Sequence, residues 1–493
     1  MKSFALDGAV RGLGLQAEPA SARLATSPLT GVTAVVDALL PERSKDARPI
    51  EPLVKEAFSE WLETQSDRTR RWAQSVGFKA EAGSICLVPG EHGELERVLV
   101  GVKSSDDPFA LGALSRELPE GDYYLDAPWS GESQQSAALG WALGAYRYTR
   151  YRDSKATLAR LCVADGVDLE SVNHQAQAIY QVRDLINTPP EDMMPGQLAS
   201  AVEALGQRFG ARVNVVEGDG LLAGNLPIIH AVGRASHHLP RLVDLQWGDA
   251  SNPKVTLVGK GVCFDSGGLD IKTAAGMRLM KKDMGGAAHA IGLAHMIMAH
   301  GLPVRLRLLI PAVENAVSGN AYHPGDVLRS RKGISVEIHN TDAEGRLVMC
   351  DALTLGGEDA PELMFDFSTL TGAARVALGP DLPAMFCNDD ELSEGLLAAA
   401  DEMKDPVWRM PLFDPYREML DSKVADIVNA ASNGQGGAIT AALFLKEFVP
   451  NGTAWAHFDL MAWNSRTRPG RPEGGEAMGL RAVFKYLHGR YGT

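Results

Sequence analysis

Between residues 169 and 460 the chain alternates two hydrophobic rhythms. Short apolar runs recur at 213–217, 226–231, 255–258, 306–313, 334–338, 363–367 and 454–460. Runs of that length, bounded by polar, glycine or proline residues, predict strands. Between them, apolar residues return at helical spacing over 169–187, 195–209, 285–300 and 441–448, which predicts helices. Pro189 and Pro190 end the first of these, because proline cannot continue a helix. Strands alternating with helices predict an α/β fold whose larger domain has a mostly parallel central sheet flanked by helices. In such sheets ligands bind beyond the carboxyl ends of the strands.

The first third has a different pattern. Residues 56–62 have an amphipathic helical spacing, and 84–88 and 97–102 read as strands joined through the turn-prone residues 90–93. A short strand follows at 123–125. A helix is expected over 136–150, with its basic end suited to a helix C-terminus. This predicts a small N-terminal α/β domain over 1–165, with a polar, glycine-containing boundary at 164–168 and a larger domain over 166–493. The aromatic and basic residues Tyr146, Arg147, Tyr148, Arg150, Tyr151 and Arg152 read as a helix end packed on its domain rather than a nucleic-acid surface.

Bulk numbers restrict the function classes. A chain of 493 residues has room for two or three domains, and 45% hydrophobic with 22% charged residues is ordinary for a globular protein. The net charge of −14 argues against indiscriminate binding to nucleic acid or anionic membranes. Five scattered cysteines without metal-ligand spacing suit a reducing compartment. No window approaches the length of a membrane span, and Asp7 interrupts the start, so no signal peptide is expected. The expected location is the cytoplasm.

The candidate chemistry lies in two clusters. Residues 340–347 read Asn-Thr-Asp-Ala-Glu-Gly-Arg-Leu and follow the apolar run 334–338. Asp342 and Glu344, two apart, would point the same way on extended backbone and would repel unless a cation lay between them. Arg346 could serve; a divalent cation, which prefers oxygen ligands, would serve better. Taken alone, such a run commonly forms a solvated loop. Upstream, however, the strand at 255–258 opens into Gly-Lys-Gly-Val-Cys-Phe-Asp-Ser-Gly-Gly at 259–268, followed by Lys272 and by Met-Lys-Lys-Asp-Met-Gly-Gly at 280–286. Asp265, Asp283, Asp342 and Glu344, with Lys260, Lys272 and Arg346, have the makeup of a site for two divalent metals with cationic groups that receive developing negative charge.

These residues resemble the leucyl aminopeptidase (cytosol aminopeptidase) family. Residues 340–347 are identical to its signature, and 259–268, 282–287, 314–315, 324–327, 369–373 and 436–441 are similar to its other segments, in order, across about 180–480. The resemblance implies a dinuclear aminopeptidase acting on peptides with a free N-terminus. Asp265 and Glu344 would contact both metals, Asp342 would complete one site, and Lys260 and Asp283 the other. Lys272 would stabilise the oxyanion, and Arg346 would hold a bicarbonate acting as general base. The metals would be manganese or zinc, and the assembly a homohexamer. Met280, Thr369, Leu370 and Met461 would line the substrate side-chain pocket. Met461 stands where common members carry a small residue, so the pocket should be reshaped away from a simple leucine preference. His323, His339 and His457 match no ligand position, and Cys263 and Cys350 read as buried neighbours rather than nucleophiles. Two other readings stay open at this point: a DNA-binding protein that reuses the fold, and another two-metal hydrolase, for instance one acting on phosphate esters.

Overall fold

The computed structural model describes residues 38–152 and 158–492. The expectations about the start of the chain, including the absent signal peptide, therefore lie outside the described residues. Among the described residues no helix is long and apolar enough to cross a membrane.

Two large sheets organise the chain. The first has six strands in the order Leu39–Leu40, Arg160–Cys162, Asp122–Leu125, Arg48–Val54, Leu95–Val102, Ile85–Pro89. All its neighbours run parallel except the hairpin between Ile85–Pro89 and Leu95–Val102. The strand Arg160–Cys162 and the helix Leu169–Asn187 are joined through a turn at residues 165–166.

The second sheet has nine strands. Its parallel centre is Ala454–Asp459, Leu363–Ser368, Lys254–Gly259 and Arg305–Asn315, in that spatial order. Gly261–Asp265 adds beside the end of Arg305–Asn315. Antiparallel neighbours flank the centre, Ala384–Cys387 on one side and Arg241–Trp247 with Arg212–Glu217 on the other. The central strands read as continuous apolar runs because both faces are covered.

Alternate side chains go to opposite cores. Val255, Leu257, Phe365 and Phe367 pack with residues of the helices Leu169–Asn187 and Gly285–Ala299. Val258 and Met364 pack with the helices Pro227–Gly233, Glu344–Gly357 and Gly437–Lys446. The mixed α/β architecture with a mostly parallel catalytic-domain sheet is thus the one the hydrophobic rhythm predicts.

Three local expectations are corrected. Residues 226–231 are not a strand but belong to the helix Pro227–Gly233. Proline at its first position is preorganised for that role, and the buried Asp351 carboxylate accepts from the backbone of Ile228 and Ile229 at 2.8 and 3.3 Å. The helix expected over 136–150 is Gly131–Ala145, started by a Ser130 hydroxyl that accepts from Ser133 N. Its basic end is not helical. Tyr146 turns extended, and the segment packs on the helix Leu169–Asn187, with Tyr146 Oη donating to Asp184 at 2.8 Å and Tyr148 Oη to Thr188 Oγ1 at 3.0 Å. Finally, 334–338 contributes only Ser335–Glu337, in a separate three-stranded sheet rather than the central one.

Candidate active site

The site forms where the central strands end. After Lys254–Gly259 the backbone of Lys260 bridges two elements: its N–H donates to Phe367 O at 3.0 Å, and its carbonyl accepts from Ala287 N at 2.8 Å. Gly261–Asp265 then delivers Asp265 beside Asn315. Asp265 Oδ1 accepts from Gly267 N at 2.9 Å and from Asn315 Nδ2 at 2.8 Å. Asn315 Nδ2 also donates to Thr341 O at 3.0 Å, and Thr341 Oγ1 donates to Gly267 O at 2.7 Å. The two motif segments are therefore pinned to each other through Asn315 and Thr341.

The 340–347 segment is a turn followed by the helix Glu344–Gly357, not extended strand. Glu344 and Arg346 occupy its first turn, where a helix N-terminus favours a carboxylate. A Cβ on Gly345 would lie 2.7 Å from Lys260 Cε and Nζ, so only glycine lets the lysine lie against the helix start.

Side chains from these elements line one cavity of about 160 Å³. Lys260, Asp265, Lys272, Asp283, Asp342 and Glu344 all border it, as do Met280, Thr369, Leu370 and Met461. Lys260 Nζ sits 2.6 Å from Asp283 Oδ2 and 2.9 Å from Glu344 Oε1, and donates to Thr369 O at 3.0 Å. Lys272 Nζ lies 2.8 Å from Asp265 Oδ2 and also contacts Asp342 Oδ1. Thr369 Oγ1 donates to Asp283 Oδ1 at 2.8 Å.

Arg346 is buried but is not among the residues bordering the cavity. Its Nη1 donates to Asn429 O at 2.8 Å, and its Nε has no partner. Burial pulls the guanidinium down to about 10, against the attraction of Asp459 and Glu344.

Electrostatic strain is concentrated on the acids. Burial, then the neighbouring Asp265, push Glu344 well above the usual carboxylate range. The same two causes raise Asp342. Burial would also raise Asp283, but the ammonium groups of Lys260 and Lys282 outweigh it and hold that carboxyl low. Burial works against the charge on Lys260 and Lys272, yet the surrounding carboxylates leave both amines raised.

The residues present fit divalent cations. Asp265, Asp342 and Glu344 each offer an oxygen within 4.8 Å of the other two. Glu344 Oε2 is buried without a hydrogen-bond partner. Hard oxygen donors that repel one another are a donor set that a divalent cation satisfies.

The remaining sequence candidates lie apart from the cavity border. His457 is buried, with Nδ1 2.6 Å from Asp366 Oδ1, while His323 and His339 stand beside Asp326 and Glu337. Cys263 and Cys350 are buried, and burial raises both thiols, which removes nucleophilic thiolate.

Sequence reasoning missed three charged residues of the border. Lys282, Arg375 and Asp459 line the cavity beside Met461. Lys282 adjoins Asp283 in sequence, but nothing in its spacing separates it from an ordinary surface lysine. Burial pulls it down to about 8.

Residues 180–484 match the family model described as cytosol aminopeptidase family, catalytic domain. Residues 48–164 match M17 aminopeptidase, N-terminal domain. A probable cytosol aminopeptidase from Rhodococcus jostii (strain RHA1) is 40% identical over 356 residues, covering 67% of this chain and 69% of that protein. The crystal structure of a cytosol aminopeptidase from Coxiella burnetii has a TM-score of 0.89 at 52% identity, covering 92% of this chain and 100% of that one. The bottromycin maturation enzyme BotP in complex with Mn has a TM-score of 0.82 at 32% identity, covering 90% of this chain and 99% of that one.

Proposed function

Because this chain belongs to the cytosol aminopeptidase family and is a hydrolase exopeptidase, we propose that it removes N-terminal residues from peptides at the cavity described above. The observation that carries this reading is the convergence of Lys260, Asp265, Asp283, Asp342 and Glu344 on that one cavity, with the carboxylate oxygen Glu344 Oε2 left without a hydrogen-bond partner.

In this proposal those five residues would hold two divalent cations, with Asp265 and Glu344 contributing to both sites. Manganese is supported by the oxygen-rich donor set and by the Mn complex of BotP; zinc is the alternative. When bound, the cations supply an activated water and Lewis-acid polarisation of the scissile carbonyl. A lysine amine ligates only when neutral, so Lys260 would have to give up its proton to take part, a loss that nearby positive charge would favour.

Lys272 borders the cavity between Asp265 and Asp342. There it donates a charge-assisted hydrogen bond to the oxyanion that forms on the carbonyl oxygen. A bound cation would also take up the free α-amine of the substrate, which would restrict the enzyme to free N-termini. Arg346, buried with an unspent Nε donor, fits a small anion such as bicarbonate, the proposed general base. Met280, Thr369, Leu370 and Met461 shape the side-chain pocket. We further propose a domain division at 165/166, a cytoplasmic location in keeping with five free buried cysteines, and a homohexameric assembly.

The test uses metal-stripped protein resupplied with manganese, zinc, cobalt or magnesium. Activity is followed on aminoacyl-p-nitroanilides and their N-acetyl counterparts, and bound metal is counted for wild type and Glu344→Ala. The expected result is metal-dependent cleavage of free-amine substrates alone, with both activity and bound metal reduced in the variant. Full metal loading and activity in Glu344→Ala would refute the assignment.

A further inference from the structure

The catalytic cavity holds a cation that the proposed chemistry does not use. Lys282 is 4% exposed and borders the cavity, yet its ammonium makes no hydrogen bond or ion pair among the described residues. The acids near it are already engaged. Asp283 is taken by Thr369 Oγ1 and Lys260, and Asp459 accepts from Leu370 N, Thr371 N and Thr371 Oγ1 at 3.0, 3.1 and 2.6 Å. A desolvated ammonium without a partner is costly, and a protein keeps one where a ligand completes it.

A second cation lies at the same end. Arg375 borders the cavity and makes one weak hydrogen bond there, to Met461 Sδ at 3.5 Å. Lys282 and Arg375 thus stand among Met280, Thr369, Leu370 and Met461, the residues assigned to the substrate pocket. Apolar side chains beside a buried unpaired ammonium and an exposed, weakly bonded guanidinium suit a group that has both hydrocarbon and negative charge.

We propose that Lys282 and Arg375 form a carboxylate-recognising end of the substrate pocket. The substrate class is then a peptide with a carboxylate close to the scissile bond: an aspartate or glutamate side chain at the N-terminus, or the terminal carboxylate of a dipeptide. This rests on the aminopeptidase reading of the cavity. Lys282 acts here as a specificity-determining residue and leaves the bond-breaking groups to the rest of the site.

The experiment compares isosteres that differ in charge alone. One arm measures kcat/KM for Asp- against Asn- and Glu- against Gln-p-nitroanilide, which lack a terminal carboxylate. The other compares Ala-Ala with Ala-Ala-amide. Both are run on metal-loaded wild type, Lys282→Met, Lys282→Arg and the exposed-site variant Arg375→Gln, with Leu-p-nitroanilide alongside. A ratio within one enzyme cancels general losses of folding or chemistry. The expected result is a preference for the charged member of about tenfold or more in one arm, the size of a charge-assisted hydrogen bond. That preference falls toward one in Lys282→Met, weakens in Arg375→Gln and is retained in Lys282→Arg. The arm that responds identifies the carboxylate. Ratios at or below one in wild type, or ratios unchanged in both Lys282→Met and Arg375→Gln, overturn the proposal while Leu-p-nitroanilide cleavage leaves the aminopeptidase reading intact. Cleavage of no substrate by wild type overturns both.

Discussion

Arg183 offers a direct test of what holds the catalytic domain to its surroundings. The side chain is fully buried on the helix Leu169–Asn187. Its Nη1 donates to Leu143 O at 2.8 Å, at the end of the helix Gly131–Ala145, and its Nη2 donates to Gly470 O at 2.7 Å. Nε and Nη2 reach Glu476 at 3.0 to 3.2 Å. One guanidinium therefore joins three separate stretches of chain. Replacing it in Arg183→Met keeps the apolar stem and leaves the Glu476 carboxylate buried with Asn464 Nδ2 and Ala477 N as its remaining donors. Breaking a buried ion pair from one side costs about 3–5 kcal/mol. An unfolding entropy of roughly 2.1 cal/mol/K per residue gives about 1 kcal/mol/K for a chain this size, so the melting temperature should fall by about 3–5 °C. Scanning calorimetry of the wild type, Arg183→Met, Glu476→Gln and the double variant would read this. The pair should show a coupling of about 2 kcal/mol, the double variant losing less than the sum of the singles. A shift under about 1 °C for Arg183→Met, or strictly additive losses, would refute the reasoning that the pair is a desolvated tie.

Two further outcomes follow from named side chains. Burial raises Asp184 to about 7 despite its bond from Tyr146 and the nearby Arg183 and Arg150. The folded pKa thus lies above the unfolded one, so the native state binds more protons between about pH 4 and 7, and stability falls as pH rises through that window, by at most about 4 kcal/mol because the side chain keeps some solvent contact. Asp184→Asn retains an acceptor for Tyr146 and should flatten the dependence of melting temperature on pH; an unchanged slope would rule Asp184 out as its source. Met461→Ala should deepen the pocket and raise the kcat/KM ratio of Phe- over Ala-p-nitroanilide by about tenfold or more, the range for filling space in an apolar pocket. A change under about twofold would remove Met461 from the pocket wall.

What the sequence determined by itself was whatever is written in local order. Continuous apolar runs such as 255–258 and 363–367 can be stable only with both faces covered, so they announced a parallel sheet buried between helices. Proline and glycine fixed where the helices stop. The acids of 340–347 and of the 259–286 stretch announced a candidate cation site because so much like charge needs a counter-charge to coexist. The tertiary structure decided the rest, because it depends on partners far along the chain. Residues 226–231 have the apolar content of a strand, and the remote Asp351 carboxylate that accepts their N–H groups accompanies a helix instead. The run 334–338 shares its composition with the central strands but pairs in a small side sheet, so Asp342 and Glu344 reach the cavity from a turn and a helix start rather than from a strand end. Arg346 belongs to the same signature, yet its bond to Asn429 O holds it buried and off the cavity border. Lys282 and Arg375 are unremarkable lysine and arginine in sequence. They gain meaning only where the fold brings both to one cavity and buries the Lys282 ammonium without a partner, since burial and pairing are properties of a residue's surroundings and not of its letter.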